Sequence, residues 1–133
     1  MRHLAFRMAT VCNELAATPD QSWLPRPRSD ELTRAVEHTL ARLDEPLSFG
    51  QVARAALVSE RTLARRFAEE TSMTWRQFLR RARMIRAMEL LAAGDANVTE
   101  TVAAIGFDSL SAFITAFRSF TGETPAQYRR RFL

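Results

Sequence analysis

The chain has 133 residues, 47% of them hydrophobic, and a net charge of +4. This is a globular composition with room for one core or two very small ones, so intrinsic disorder is excluded. The single cysteine, Cys12, excludes an internal disulfide, His3 and His38 make no zinc set, and no apolar run approaches the ~18 residues of a membrane span.

The chain opens on MRHLAFRMATVCNELAA, which places Leu4, Met8, Val11 and Leu15 on one helical face. A helix this short with an apolar stripe does not stay bare in water, so it is expected to dock on the core or on a second copy of the chain. The segment TPDQSWLPRPR follows and breaks the helix; Pro19, Pro25 and Pro27 stiffen it into a linker. Residues 1–28 are therefore set apart from a helical body over 29–133. The N-terminus carries no signal-peptide block, which points to the cytoplasm.

Helix starts in the body are well marked. Ser48–Gln51, Thr74–Gln77, Asn97–Glu100 and Thr124–Gln127 each place a capping oxygen three residues before Glu or Gln. Pro125 suits a first helical position, and Gly94 and Gly122 stand where helices should stop. The pattern predicts helices over Asp30–Leu43, Ser48–Ala56, Ser59–Thr71, Trp75–Ala93, Val98–Ile105 and Ser109–Thr121, and a last one from Pro125. Leu57-Val58 and Gly106–Asp108 are turns. No stretch alternates with the period of a strand, so the fold class is all-α. Expected core residues are Leu63, Phe67, Phe78, Leu79, Ile85, Leu90, Leu91, Ile105, Phe107, Phe113, Phe117, Phe120 and Tyr128. Met84 and Met88 fill gaps, and Trp75 packs beside the long helix.

The body repeats itself. Residues 52–80 and 102–130, compared at an offset of 50, are identical at Val52/Val102, Ala53/Ala103, Ser59/Ser109, Phe67/Phe117, Thr71/Thr121, Thr74/Thr124, Gln77/Gln127 and Arg80/Arg130. Roughly two identities are expected by chance on ordinary residue usage. The matched positions are caps and apolar anchors, so what repeats is a helical scaffold. Ahead of Ser59 the register can slip by one.

All basic residues are Arg. The bias itself reads as genome composition, but its distribution is uneven. Arg54 to Arg86 holds nine Arg and three Glu, a local net of +6, which leaves −2 for everything else. Such a block is either a solvated helical face or the footprint of a polyanion. Short helix, tight turn, helix with a polar outer face is the helix-turn-helix pattern. The 19-residue helix between the copies would be about 29 Å long, against about 34 Å between turns of one DNA groove. That strut could hold two recognition helices on one face of a duplex.

From about residue 30 to 132 the chain resembles the DNA-binding domain of AraC/XylS-type bacterial transcription regulators. The resemblance is strongest in GFDSLSAFITAFRSFTGETPAQYRR, Gly106–Arg130, through Gly106-Phe107, Phe113 and Phe117, Gly122, Thr124-Pro125 and Tyr128-Arg129. Ala53, Ser59, Leu63 and Phe67 carry it in the first copy, and Phe78-Leu79-Arg80 and Arg83 in the strut. Trp75 departs from a frequent Pro, and Val102 from a small residue. The resemblance implies two homeodomain-like helix-turn-helix units, about 30–73 and 97–133, joined by a linker helix, about 74–93. Carried over by position, Arg61, Thr62, Ala64 and Arg65 face bases in the first unit, and Leu110, Ser111, Ile114 and Thr115 in the second. It also implies that 1–28 is the remnant of a regulatory or dimerisation domain.

The chemistry of those positions is uneven. Arg61 and Arg65 lie one turn apart and suit guanine O6/N7, with phosphate contact as the alternative. Leu110 and Ile114 offer only apolar contact, for instance to thymine methyls, and Ser111 and Thr115 read donors or acceptors. Arg66, Arg76 and Arg118 are phosphate candidates. Ser59, Thr74 and Thr124 are further phosphate candidates through helix N-termini, with a purely structural capping role as the alternative. The expected partner is double-stranded DNA, with RNA polymerase and a second copy of the chain as further candidates. No cofactor or metal is implied. The rival reading is a helical adaptor whose Arg face meets an acidic protein; an enzyme ranks last, for want of any catalytic constellation.

Overall fold

A computed structural model describes residues 23–94 and 96–133. The expected helix over Met1–Ala17 lies outside the described residues. Those described contain seven helices and no strand: α1 (Asp30–Leu40), α2 (Phe49–Ala56), α3 (Glu60–Thr71), α4 (Trp75–Ala93), α5 (Val98–Ala104), α6 (Leu110–Thr121) and α7 (Pro125–Arg130). None of the described helices is long and apolar enough to cross a membrane.

Each helix begins where its sequence says it should. Ser48, Thr74, Asn97 and Thr124 are caps in reciprocal boxes with Gln51, Gln77, Glu100 and Gln127. Each such cap contributes about 1 kcal/mol. Gly94 and Gly122 close α4 and α6 in the left-handed region, at φ of 77° and 85°. α1 stops earlier than its periodicity suggests. The backbone tightens into three-residue hydrogen bonds, Arg42 N–H to Thr39 O and Glu45 N–H to Arg42 O, ahead of Pro46, which disfavours helix in the residue before it. Leu43 is nonetheless buried.

Two apolar clusters result. The first joins Leu32, Val36 and Leu40 of α1 to Val52 and Ala56 of α2, Leu63 and Phe67 of α3, and Trp75, Phe78 and Leu79 of α4. The second joins Met84, Ala87 and Leu91 of α4 to Ile105, Phe113, Phe117 and Tyr128. Leu90, Phe107 and Phe120, expected in the core, are only half-buried at its margin. Trp75 packs as expected, with its ring 5.6 Å from Phe49 and its Nε1–H donating to Thr39 Oγ1 at 3.1 Å.

α4 is two helices fused. Its first half repeats α7: Phe67 meets Phe78 edge-on at 5.6 Å, and Phe117 meets Tyr128 edge-on at 5.5 Å. Thr71 and Thr121 donate their hydroxyls to Phe67 O and Phe117 O in the same way. Its second half is the opening helix of the second unit. Register across the two units changes at the turns. The caps Ser59/Ser109 and Thr74/Thr124 are 50 apart, but Ser48/Asn97 are 49 apart. Val52 therefore corresponds to Thr101 and Ala56 to Ile105, all four fully buried. The identities Val52/Val102 and Ala53/Ala103 are out of register. The extra residue lies in the second turn, where Phe107 and Asp108 stand between the left-handed Gly106 and the cap; Val58 alone stands there in the first.

The left-handed position of the first turn is Leu57, at φ 63° and 78% exposed. A leucine there costs about 1–2 kcal/mol, and its side chain returns little burial. Arg34 compensates by donating from Nε and Nη2 to Ala56 O at 3.1 and 2.8 Å, which closes the end of α2. Leu57→Gly is expected to raise stability by roughly 0.5–1 kcal/mol after the entropy of glycine is subtracted. A higher urea midpoint with unchanged slope would show it.

The linker does not end at residue 28 as a free strand. Leu24 is buried in the first cluster, Pro25 is buried beside it in the chain, and Arg81 lies over the Trp23 ring at 5.6 Å. The Arg28 and Ser29 N–H groups donate to Glu70 Oε1 at 2.6 and 2.8 Å. Residues 23–28 thus strap the first unit together.

Candidate nucleic-acid interface

α3 buries one stripe, Leu63, Phe67 and Thr71, four residues apart. Helical geometry then turns positions 61 and 65 away from the core. Arg61 and Arg65 are both exposed. Arg61 has no ion-pair partner among the described residues. Arg65 meets Glu69 at 3.7 Å with both side chains more than half exposed, at 57% and 52%. Such a pair is worth at most about 1 kcal/mol, so a ligand anion or base can displace it. Thr62 is half-buried and tied to the cap: its N–H donates to Ser59 Oγ, and the Ser59 hydroxyl donates to Thr62 Oγ1, both at 3.1 Å. Ala64 is exposed but stands on the flank. With Glu60, Ala68, Phe49, Met73 and Arg76 it lines an open groove of about 400 Å³ between α3 and the start of α4.

Arg66 lies apart from that face. It pairs with Glu31 at 3.6 Å and Glu70 at 4.0 Å, and its Nε is buried without a partner. This guanidinium already serves the seam between α3, α1 and the strap. The nine-Arg block is therefore not one patch. Arg66 and Arg83 are spent internally, Arg86 meets Glu89 at 3.9 Å, and Arg81 covers Trp23. Arg54, Arg61, Arg65, Arg76 and Arg80 remain exposed.

α6 repeats the geometry with different chemistry. Phe113, Ala116 and Phe117 face inward, while Leu110, Ser111, Thr115 and Arg118 are exposed and Ile114 is half-buried. Leu110 is one of four large apolar side chains exposed among the described residues, at 44%. The caps are largely occupied by their own helices. Thr74 and Thr124 accept from Gln77 N–H and Gln127 N–H at 3.1 and 3.2 Å, and their own N–H groups bond the same glutamines at 2.9 Å. At α7 Pro125 removes a further donor, so Thr124 offers an anion little. Ser59 accepts one N–H and leaves those of Glu60 and Arg61 at the helix start. Sequence reasoning missed Glu31, Arg34 and Glu70, whose partners are remote in sequence.

Two matched helix-turn-helix units on a shared helix agree with what is known of other proteins. A model of the helix-turn-helix domain family matches residues 52–131, well over half of the chain. The transcriptional regulator NimR of Escherichia coli K12 is 34% identical over 120 residues, 90% of this chain and 44% of its own length. A solved AraC-type DNA-binding regulator from Chromobacterium violaceum superposes with a TM-score of 0.72 at 30% identity, covering 76% of this chain and 90% of that one. The chain belongs to the AraC-type helix-turn-helix family. The DNA-binding domain of AdpA, solved in complex with a target DNA, shares the AraC-type fold at a TM-score of 0.72. It is 35% identical, and 78% of this chain covers 94% of it. The chain spans a little under half the length of the curated AraC-type relatives it matches.

Proposed function

We propose that the chain is a sequence-specific DNA-binding regulator of transcription that lays α3 and α6 in adjacent major-groove segments of one duplex. The observation that carries this is the pair of outward helix faces. Each recognition helix anchors itself by two phenylalanine or leucine positions, Leu63/Phe67 and Phe113/Phe117, and leaves the opposite side open. In α3 that side presents Arg61 and Arg65, the residue type best suited to guanine in the major groove. In α6 it presents Leu110, Ser111, Ile114 and Thr115, suited to thymine methyls and to unselective hydrogen bonds, so the second segment is read less sharply. Thr62 and Ala64 flank the first reading edge. Arg76 and Arg118 suit phosphates; Arg66 is assigned a structural role in this scheme, as are the caps Thr74 and Thr124, and Ser59 is kept as a phosphate candidate beside the Glu60 and Arg61 N–H groups. RNA polymerase is the further partner we assign to this reading, and the cytoplasm the place of work.

Selection from random duplexes at moderate salt tests the reading. Wild type is expected to enrich a two-part, non-palindromic site. Arg65→Ala should blur one position of it at a cost of roughly 1–3 kcal/mol. Binding that is salt-sensitive but blind to sequence would sink the proposal and favour an adaptor with a basic face.

A further inference from the structure

Two units that read one duplex must hold a fixed angle, and apolar packing on α4 is a poor way to fix it. Hydrophobic contacts have no direction, so packed surfaces can slide. Polar contacts between the units do have direction, and a set of them meets beside Arg83. Arg83, at the middle of α4, donates from Nε to Leu43 O at 3.0 Å and from Nη2 to Glu45 O at 2.9 Å. Both carbonyls belong to the loop after α1, in the first unit. Gly106, the left-handed residue of the second unit's turn, rests on the same carbonyl. A Cβ there would lie 2.5 Å from Leu43 O and 3.0 Å from Arg83 Nη2. Asp108, the residue with no counterpart in the first turn, adds a negative charge to this neighbourhood. Burial works against the charge on Arg83, and Asp108 works for it. One guanidinium fork thus spans two carbonyls of the first unit and the turn of the second, and such a planar fork is stiff where an ammonium would swivel.

We infer that Arg83 and Gly106, meeting at the Leu43 carbonyl, form a latch that fixes the angle between the two helix-turn-helix units and thereby sets the one spacing of DNA segments that the chain accepts. The inference rests on the two-segment reading above. Adding one base pair between segments turns one against the other by about 35°. A latched pair cannot follow that rotation, whereas an unlatched pair can. These are positioning residues, and they touch no base.

The test compares wild type with Arg83→Gln, Gly106→Ala and Gly122→Ala. Gly122 is the control, because it is also left-handed, at φ 85° against 73°, but nothing lies within 4 Å of its added Cβ. Both glycine variants carry the same backbone strain, and only Gly106→Ala pushes on the latch. Selection uses libraries in which the separation of the two segments varies. Wild type and Gly122→Ala are expected to enrich one spacing. Arg83→Gln and Gly106→Ala should keep the base preferences within each segment, accept neighbouring spacings, and bind the best site about tenfold more weakly. A single unchanged spacing in folded Arg83→Gln or Gly106→Ala overturns the latch. Residual dipolar couplings on the free proteins give the angle between units without DNA. One angle is expected in wild type and a spread in the latch variants, and an unchanged angle overturns the inference even if no DNA motif emerges and the functional reading fails. Should Arg83→Gln not fold, the two glycine variants decide alone.

Discussion

Phe117→Ala is expected to melt the second unit while the first stays folded. Phe117 is fully buried and central: its ring lies 5.5 Å from Phe113 on one side and 5.5 Å from Tyr128 on the other. Removing such a side chain costs about 3–5 kcal/mol, because the cavity left behind cannot fully collapse. The second cluster has eight buried members among the described residues against sixteen in the first, so it has less to lose. A whole domain of this kind has only about 5–15 kcal/mol in hand. Phe67→Ala removes the matching ring from the larger cluster and should be borne better. Amide spectra of Phe117→Ala should keep the peaks of α1 to α3 and lose those of α5 to α7, and the variant should select only the first DNA segment. Loss of all peaks together would instead mean that α4 welds the two clusters into one cooperative unit.

That possibility of welding bears on how much of this molecule its sequence reveals. Caps are a local code, so Ser48, Thr74, Asn97 and Thr124 mark helix starts from four residues alone. The repeat also reaches into α4, because Thr74–Arg80 repeats Thr124–Arg130, but the sequence reads the whole helix as a linker and not as two fused helices. The one-residue slip between Ser48/Asn97 and Ser59/Ser109 is not legible, because chance identities at Val52/Val102 and Ala53/Ala103 conceal it. Nor is the left-handed Leu57, since nothing in the sequence distinguishes it from an ordinary turn residue. The largest gap concerns arginine. Arg34, and Arg66 and Arg83 within the basic run, look like any other arginine in the sequence, yet each is committed to partners roughly 20 to 40 positions away. Backbone carbonyls such as Ala56 O and Leu43 O carry no residue-type signature, so contacts to them cannot be read from composition. The outward faces of α3 and α6 are legible because they are what remains when the buried stripe is subtracted.

Glu70→Ala should be the costliest change outside the apolar clusters. The Glu70 side chain is only 4% exposed. Its carboxylate accepts the N–H groups of Arg28 and Ser29 and meets Arg66, so it joins the strap to the carboxyl end of α3. A negative charge at a helix C-terminus is unfavourable by itself, and these donors reverse the balance. Truncation leaves two backbone donors and one half-buried guanidinium under-satisfied, at a cost of roughly 2–4 kcal/mol. Burial works to raise the Glu70 pKa, but hydrogen bonds from the Ser29 side chain and from the Ser29 and Arg28 backbone, with the Arg28 charge, hold it below the ordinary 4.5. The sign of the pH dependence follows. A carboxyl whose folded pKa lies below its unfolded value stabilises the fold fully above the unfolded value, and that stabilisation is lost as pH falls through the folded one. Glu70→Gln isolates this part, because it keeps the shape and removes the charge. Urea unfolding of wild type and Glu70→Gln at pH 7 should show a clear gap in stability, and the gap should narrow once the pH is taken below the native Glu70 pKa. A gap that stays constant with pH would mean that the carboxylate charge contributes nothing there, and that the strap is held by Leu24, Pro25 and the Trp23 ring alone.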